Sequence, residues 1–589
     1  MRSASVRSIA KDVSTGARSA ESIALETLER AAAYDEIQPE AWISRVSPED
    51  ALARARLVDE RVAAGQQLPL AGVPVAVKDN MDVAGLETTA ACPAFGYRAA
   101  TSAYVVERLL ASGAVIFGKT NLDQFATGLV GTRSPYGSCG CVFNREYISG
   151  GSSAGSAVLV AAGVVPLALG SDTAGSGRVP AAFNNLIGFK PSRGRWSSRG
   201  LLPACRSLDC VTAMTADVED AVLVDSIAAD FDRFDPYARR TPPVRPQIGT
   251  TFRFGVPQAR HLKDLSPQDL KLFVDTLPRL KAAGGTAVEV DVMPLLEAAR
   301  LLYGGPWIAE RTAMLESLLN SRPTAIHPVV RAIVQAGKGV SAVEAFRGFY
   351  ALQDYARAAE ELWDCVDVLT LPTTPTIYRR SEVLAEPVAL NAHLGLYTNF
   401  VNLLDMTAIS VPAGFRDTGT GFGLSLIAPA WSDVSLLGLA ARYVQAAALP
   451  SAPDLDRTPR PSRVQLAVFG AHLSGMPLNW QLTSRDARLV RATRTAPVYR
   501  LYAMANQDPP KPALVHAGAD GASIELEVYE LDVSAFGSFV TEVPAPLAIG
   551  TVSLEDGTSV HGFVAEPRAL IGALDITAGG GWRAYLARR

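Results

Sequence analysis

Histidine and cysteine are scarce in this chain, with six of each among 589 residues. The histidines are His261, His327, His393, His472, His516 and His561, and none lies near a serine-rich segment. A Ser-His-Asp triad is weakened by that, though not removed, because such triads assemble from distant positions. Six cysteines do not make a disulfide framework in so long a chain, and Cys139-Gly140-Cys141 has no Cys or His close by to complete a metal site. The expectation is buried reduced thiols, no metal and a cytoplasmic setting. A long apolar run is missing too: residues 158–169 are too few to span a bilayer. The first 30 residues carry charge throughout, so no signal peptide is expected. A net charge of −4 gives no electrostatic case for nucleic acid or an anionic membrane as partner.

What is present is length and alternation. With 48% hydrophobic and 19% charged residues, 589 residues exceed one ordinary core and imply two or more domains. Helical spacing of apolar residues at 16–34 and 102–112 alternates with short apolar runs at 73–77, 115–118, 164–169 and 366–371. This predicts an α/β architecture, helices layered on both faces of a mixed, largely parallel sheet. Pro242, Pro243 and Pro246 mark a surface loop before a strand near 253–256. Pro450, Pro453, Pro459 and Pro461 predict an extended linker over 450–462, dividing the chain into 1–449 and 463–589. Beyond it, alternating segments at 464–469, 498–503, 523–531, 550–554 and 559–564 predict a small β-rich α+β domain.

Two glycine-serine segments stand out: Gly150-Gly151-Ser152-Ser153-Ala154-Gly155-Ser156 and Gly170-Ser171-Asp172-Thr173-Ala174-Gly175-Ser176-Gly177-Arg178. A flexible linker does not fit, since the intervening 158–169 is apolar and reads as a buried helix and strand. A phosphate loop does not fit either: the first segment has no Gly-Lys-Ser/Thr ending, and the second lacks dinucleotide spacing. An active-site wall remains, with glycine letting backbone N–H groups approach a developing oxyanion. Lys78, at the end of Pro74-Val75-Ala76-Val77-Lys78, offers a base if burial lowers its pKa. Taken alone, a lysine after an apolar strand is usually a solvated end.

Lys78 and the two segments, in this order, resemble the amidase signature family with its Ser-cisSer-Lys triad. The resemblance implies an amidohydrolase without cofactor or metal. Ser176 is the expected nucleophile, Ser152 the serine relaying a proton to Lys78, and the peptide before Ser152 is expected to be cis. Thr173, Ala174, Gly175 and Ser176 would supply oxyanion-hole N–H groups, while Asp172 and Arg178 brace the loop.

The triad alone leaves the amide open. The stretches Phe469–Asn479 and Pro544–Val552 resemble the C-terminal domain of allophanate hydrolases, and Tyr303–Arg311 resembles a segment of their amidase part. This implies allophanate as small-molecule substrate, ammonia and N-carboxycarbamate as first products, and carbon dioxide with further ammonia in the end. Arg311 and Tyr303 would contact the substrate, sharing one face if a helix runs through both; Gly128, Asn399 and Asn402 would line the pocket. Without that motif Arg311 reads as a surface partner of Glu310 or Glu316, and Asn399 and Asn402 as amides satisfied by backbone. His472 is the candidate cation or proton donor for decarboxylation, against the plainer reading of a packed core histidine. No Met-Lys-Met biotin site occurs, so a stand-alone hydrolase is expected, as is a homodimer with part of its contact from 290–350. Another amidase, such as the glutaminase component of a tRNA amidotransferase, and a non-enzymatic amidase scaffold remain the alternatives.

Overall fold

The computed structural model describes residues 4–446, 452–457 and 463–588. The chain forms two compact units. The first contains residues 4–134, 139–319 and the described part of 329–458; the second contains 135–138, 320–328 and the described part of 459–589. Of the expected linker, 450–451 and 458–462 lie outside the described residues. Residues 452–457 belong to the first unit, where the Asp456 N–H donates to Val142 O (2.8 Å) and its carboxylate pairs with Arg145 at 3.1 Å.

An 11-stranded sheet organises the first unit. Its strands are β1 (Trp42–Arg45), β2 (Pro74–Lys78), β3 (Val115–Thr120), β4 (Leu167–Asp172), β5 (Ile187–Lys190), β6 (Cys210–Thr215), β7 (Phe252–Pro257), β8 (Gly285–Val290), β9 (Val368–Pro372), β10 (Met406–Phe415) and β11 (Gly421–Pro429). They lie in the order β1-β3-β2-β4-β6-β5-β10-β11-β9-β7-β8. Parallel pairing is confined to β3-β2-β4 and β9-β7-β8. Antiparallel pairings outnumber parallel ones, so the sheet is mixed but not largely parallel. Helical crossovers are legible in a sequence; the direction of β5, β6, β10 and β11, joined partly by loops, is not.

β2 has neighbours on both sides and every residue buried, as a central strand with two covered faces requires. Its parallel neighbours β3 and β4 end on the same sheet edge, so Lys78, Thr120 and Asp172 finish three adjacent strands. Two helices start beside that edge: α1 (Ala154–Ala161) after the first glycine-serine segment, and α2 (Arg178–Phe183) after the second. Seven of the eight α1 residues are buried, consistent with the apolar stretch seen in the sequence. The predicted helix at 16–34 is Ala20–Asp35, begun where Ser19 Oγ accepts the Ser22 N–H at 3.0 Å.

Around 290–350 the chain is helical in pieces: α3 (Met293–Gly304), α4 (Trp307–Ser321), Pro328–Gly337 and α5 (Ala342–Cys365). Gly305-Pro306 separates α3 from α4, because proline cannot continue the hydrogen-bond ladder of a preceding helix.

The second unit holds a five-stranded sheet of Arg488–Arg494, Glu525–Asp532, Arg463–Val468, Ser559–Ala565 and Leu547–Ser553, in that spatial order. A three-stranded sheet of Pro512–His516, Tyr499–Ala503 and Leu574–Asp575 accompanies it. Its own core includes Leu466, Val468, Leu501, Val528, Leu531 and Trp582.

Candidate active site

The site is assembled at the shared edge of β2 and β4. Lys78 is fully buried, and its Nζ donates to Ser152 Oγ (2.7 Å), Ser171 Oγ (2.9 Å) and Ser171 O (3.5 Å). No carboxylate forms an ion pair with it among the described residues. Burial therefore pushes its pKa down to about 7, against a smaller upward pull from Asp123, Asp209 and Asp172. Lys119, one strand over and equally buried, differs: its Nζ lies 3.0 Å from Asp79 Oδ1. Of these two buried lysines, Lys78 donates only to hydroxyls and a carbonyl, whereas Lys119 meets a carboxylate.

Ser152 follows a cis Gly151-Ser152 peptide. Gly151 packs so closely that a Cβ would overlap Asp123 Oδ2 and the Gly131 N–H. The Asp123 carboxylate also accepts the N–H groups of Val130 (3.2 Å), Gly131 (2.9 Å) and Arg133 (3.0 Å), curling 123–133 over the serine loop. Gly128 lies in this curl, and its carbonyl accepts the Ser176 hydroxyl at 3.4 Å. No hydrogen bond joins Ser176 to Ser152 in this conformation; Ser176 is turned toward Gly128, so a relay requires rotation of its hydroxyl.

The 172–178 loop is held from within. Asp172 and Arg178, both fully buried, pair through 2.9 and 3.0 Å contacts. Burial raises the Asp172 pKa, but the adjacent guanidinium outweighs it and holds the carboxyl below its ordinary range. The same carboxylate accepts the N–H groups of Gly175 (2.8 Å) and Gly177 (3.1 Å). Gly175 is thereby removed from the expected oxyanion donors, because its N–H is already committed. Thr173, Ala174 and Ser176 keep N–H groups with no acceptor among the described residues. Gly175 has φ +125°, and a Cβ there would meet Thr398 Oγ1 at 2.5 Å.

Arg311 is buried, not a surface partner of Glu310 or Glu316. Its Nη1 donates to Thr127 Oγ1 at 3.0 Å, its Nε has no partner, and its guanidinium stands 5.3 Å from the Tyr303 ring centre. Tyr303 ends α3 and Arg311 belongs to α4, so one continuous helix does not join them; the Gly305-Pro306 break folds the ring back over the cation. Asn402 is corrected as well. Its Nδ2 donates to Asp172 O (2.7 Å) and Leu208 O (3.0 Å), and its Oδ1 accepts from Arg178 at 3.3 Å. With all its groups used internally, it supports the loop and has nothing left for a ligand. Asn399 is buried with Oδ1 unpartnered, and so keeps a free acceptor.

Several contributors carry no sequence signal. Ser171 shares Lys78 with Ser152 and accepts from Asn80 Nδ2 at 3.1 Å. Asn391 Oδ1 accepts the Leu129 N–H at 2.7 Å, and Asp209 accepts the Thr173 hydroxyl. Each lies far along the chain from its partner, in unremarkable local sequence. Only the glycine-serine setting of Ser171 hints at a role.

His472 lies in the second unit and faces a cavity of about 120 Å³ also lined by Gln481, Lys511, Phe539, Glu542 and Phe563. It stacks on Phe563 (5.0 Å), meets Phe539 edge-on (5.2 Å), and its Nε2 sits 2.7 Å from Gln481 Oε1. Burial among these rings pushes its pKa down to about 4, so the imidazole is neutral and is not the cation expected. A buried network sets the loop that carries it: Glu527 accepts from Ser474 N (2.6 Å), Ser474 Oγ (2.6 Å) and Arg583 (2.8 Å), while Asn479 donates to His472 O at 2.8 Å.

Among the described residues, no group of three or more His, Cys, Asp or Glu is placed to hold a metal ion, and no helix is long and apolar enough to cross a membrane.

Both parts of the chain match known families. Residues 464–587 match the family described as allophanate hydrolase C-terminal domain. The solved structure of Kluyveromyces lactis allophanate hydrolase is 40% identical, with a TM-score of 0.70, covering 98% of this chain and 99% of that one. The urea amidolyase of Saccharomyces cerevisiae is 43% identical over 92% of this chain, but the chain spans only 31% of that relative. A glutamyl-tRNA(Gln) amidotransferase component from Symbiobacterium thermophilum is 35% identical over 68% of this chain and 88% of its own length. Residues 24–437 match the family described as Amidase, and the chain belongs to that family.

Proposed function

We propose that the protein is an allophanate hydrolase in which Ser176, Ser152 and Lys78 carry out acyl transfer. The observation that carries this reading is Lys78, buried beside the Ser152 hydroxyl at 2.7 Å with no countercharge to keep it protonated. A neutral lysine takes the Ser152 proton as Ser152 takes that of Ser176. Ser176 Oγ then bonds to the terminal ureido carbonyl carbon, and the oxyanion meets the free N–H groups of Thr173, Ala174 and Ser176. The relay returns the proton to the departing nitrogen, which leaves as ammonia. Water attacks the acyl-enzyme, giving up its proton along the same path, and N-carboxycarbamate is released.

Arg311 supports a carboxylated substrate. A buried guanidinium with an unpartnered Nε is stabilised by a bound anion, which a fork of parallel N–H groups holds well. Tyr303, Gly128 and the free Asn399 acceptor complete the proposed pocket.

We assign the amidase step to residues 1–449 and decarboxylation to 463–589, in keeping with the family matches. In the second step the C–N bond breaks, carbon dioxide leaves, and the nitrogen takes up a proton to give carbamate. Lys511 supplies the positive charge in that cavity, with neutral His472 oriented by Gln481. A cytoplasmic homodimer belongs to the same proposal. Its support is six free thiols and an exposed apolar stripe of Val343, Phe346, Phe349 and Tyr350 on α5.

Ser176→Ala is expected to abolish ammonia release from allophanate in a coupled assay while the protein stays folded. Arg311→Ala is expected to raise KM about 10- to 100-fold, on the scale of a lost charged hydrogen bond. Ammonia from glutamine but not allophanate would shift the assignment to the amidotransferase type. Since Lys78 must be neutral, kcat/KM should climb with pH and level off above its value of about 7; a flat profile from pH 5 to 8 would remove lysine as base. Lys511→Ala should spare the first ammonia yet slow carbon dioxide release, and equal rates of both would make the second unit structural. Phe346→Asp should convert the dimer to monomer by sedimentation velocity, whereas an unchanged mass would place the interface elsewhere.

A further inference from the structure

Two struts tie the anion-binding end of the site to its reacting end. The first is short. Arg311 Nη1 donates to Thr127 Oγ1 at 3.0 Å, and the next residue, Gly128, accepts the Ser176 hydroxyl at 3.4 Å. The guanidinium and the nucleophile therefore hang on adjacent residues, whose Cα atoms are about 3.8 Å apart.

The second strut runs behind the site through the 204–209 turn. Glu310, next to Arg311 on α4, accepts both the N–H and the hydroxyl of Ser207 at 2.7 Å. The turn closes on itself, with the Leu208 and Asp209 N–H groups donating to Cys205 O at 2.9 Å. Asp209 accepts the Ala204 N–H at 2.6 Å and the hydroxyl of Thr173, in the loop that carries Ser176. Cys205 Sγ contacts Trp307 O at 3.6 Å, a second tie to the start of α4. Glu310 and Asp209 each spend their oxygens on the turn or the loop. Neither carboxylate contacts Ser176, Ser152 or Lys78.

We propose that Glu310 and Asp209 are specificity-determining positioning residues, which fix the span between Arg311 and Ser176 so that the site selects amides with one atom between carboxylate and carbonyl carbon. This rests on the reading above, in which Arg311 holds the substrate carboxylate and Ser176 attacks. Allophanate meets the requirement with its bridging nitrogen. Succinamate, with two intervening carbons, is one atom too long: held at Arg311, its carbonyl overshoots Ser176. Without either strut α4 moves relative to the serine loop, and the length limit relaxes.

The test measures kcat and KM on allophanate and succinamate for the full chain and for Glu310→Ala, Glu310→Gln, Asp209→Asn and Arg311→Ala. Glu310→Ala should raise KM for allophanate about tenfold with kcat within about threefold, and lower the allophanate-to-succinamate ratio of kcat/KM about tenfold. Glu310→Gln, which keeps an acceptor for Ser207, should recover most of that ratio, and Asp209→Asn should lower it. Equal losses on both substrates, or an unchanged ratio in folded variants, would overturn the inference. If Glu310→Ala does not fold, Ser207→Ala removes one bond of the same strut and is held to the same ratio. Failure of the underlying reading looks different: Arg311→Ala would then leave KM for allophanate unchanged.

Discussion

A lysine without a countercharge is the constraint around which the first unit is arranged. Water solvates an ammonium strongly, and a buried one keeps its proton only if the protein replaces that solvation. At Lys78 the replacement is partial: serine oxygens and one carbonyl, with the nearest carboxylates acting only at longer range. Lys119, on the neighbouring strand and at the same depth, has Asp79 in contact. The two are buried alike and differ in having a carboxylate in contact.

The acids near the site have another task. Asp123 gathers three N–H groups around the Gly151-Ser152 peptide, and Asp172 gathers two around Ser176 while pairing with Arg178. Each holds a loop that glycine would otherwise leave loose. Asn402 finishes the second brace by capping both Asp172 O and the Arg178 guanidinium. The same arrangement spends the N–H of Gly175 on shaping the turn.

The local chemistry is legible in the sequence, and the long-range pairing is not. Glycine-serine segments and a strand-ending lysine announce themselves because the backbone they need is written in adjacent residues. Five strands of the large sheet and five of the second unit follow from apolar or alternating runs for the same reason, with bounds shifted by up to three residues, whereas β1, β5, β6, β8, β10 and β11 are not marked in this way. Sheet direction is misread where parallel strands give way to antiparallel ones, since apolar runs look alike in either. Arg488–Arg494 escapes notice because it is an edge strand rich in arginine, which one-sided pairing tolerates. Tyr303 and Arg311 are expected on one helix, but Gly305-Pro306 intervenes; the two meet through a bend instead. Asn402 invites a ligand role, but its groups are used by Asp172, Leu208 and Arg178, and His472 invites a cation role that its burial among aromatic rings disfavours.

The close packing at Gly151 bears on how such an enzyme can change over time. Any side chain there collides with Asp123, which in turn holds the next loop, so the serine segments tolerate little drift. Helix α4 meets the neighbouring loops chiefly through its side chains, Arg311 to Thr127 and Glu310 to Ser207, and through the Trp307 carbonyl. Variation is therefore channelled into the bend before α4 and the side chains along it. One inherited acyl-transfer apparatus can in this way be passed among descendants that differ in the acids they recognise.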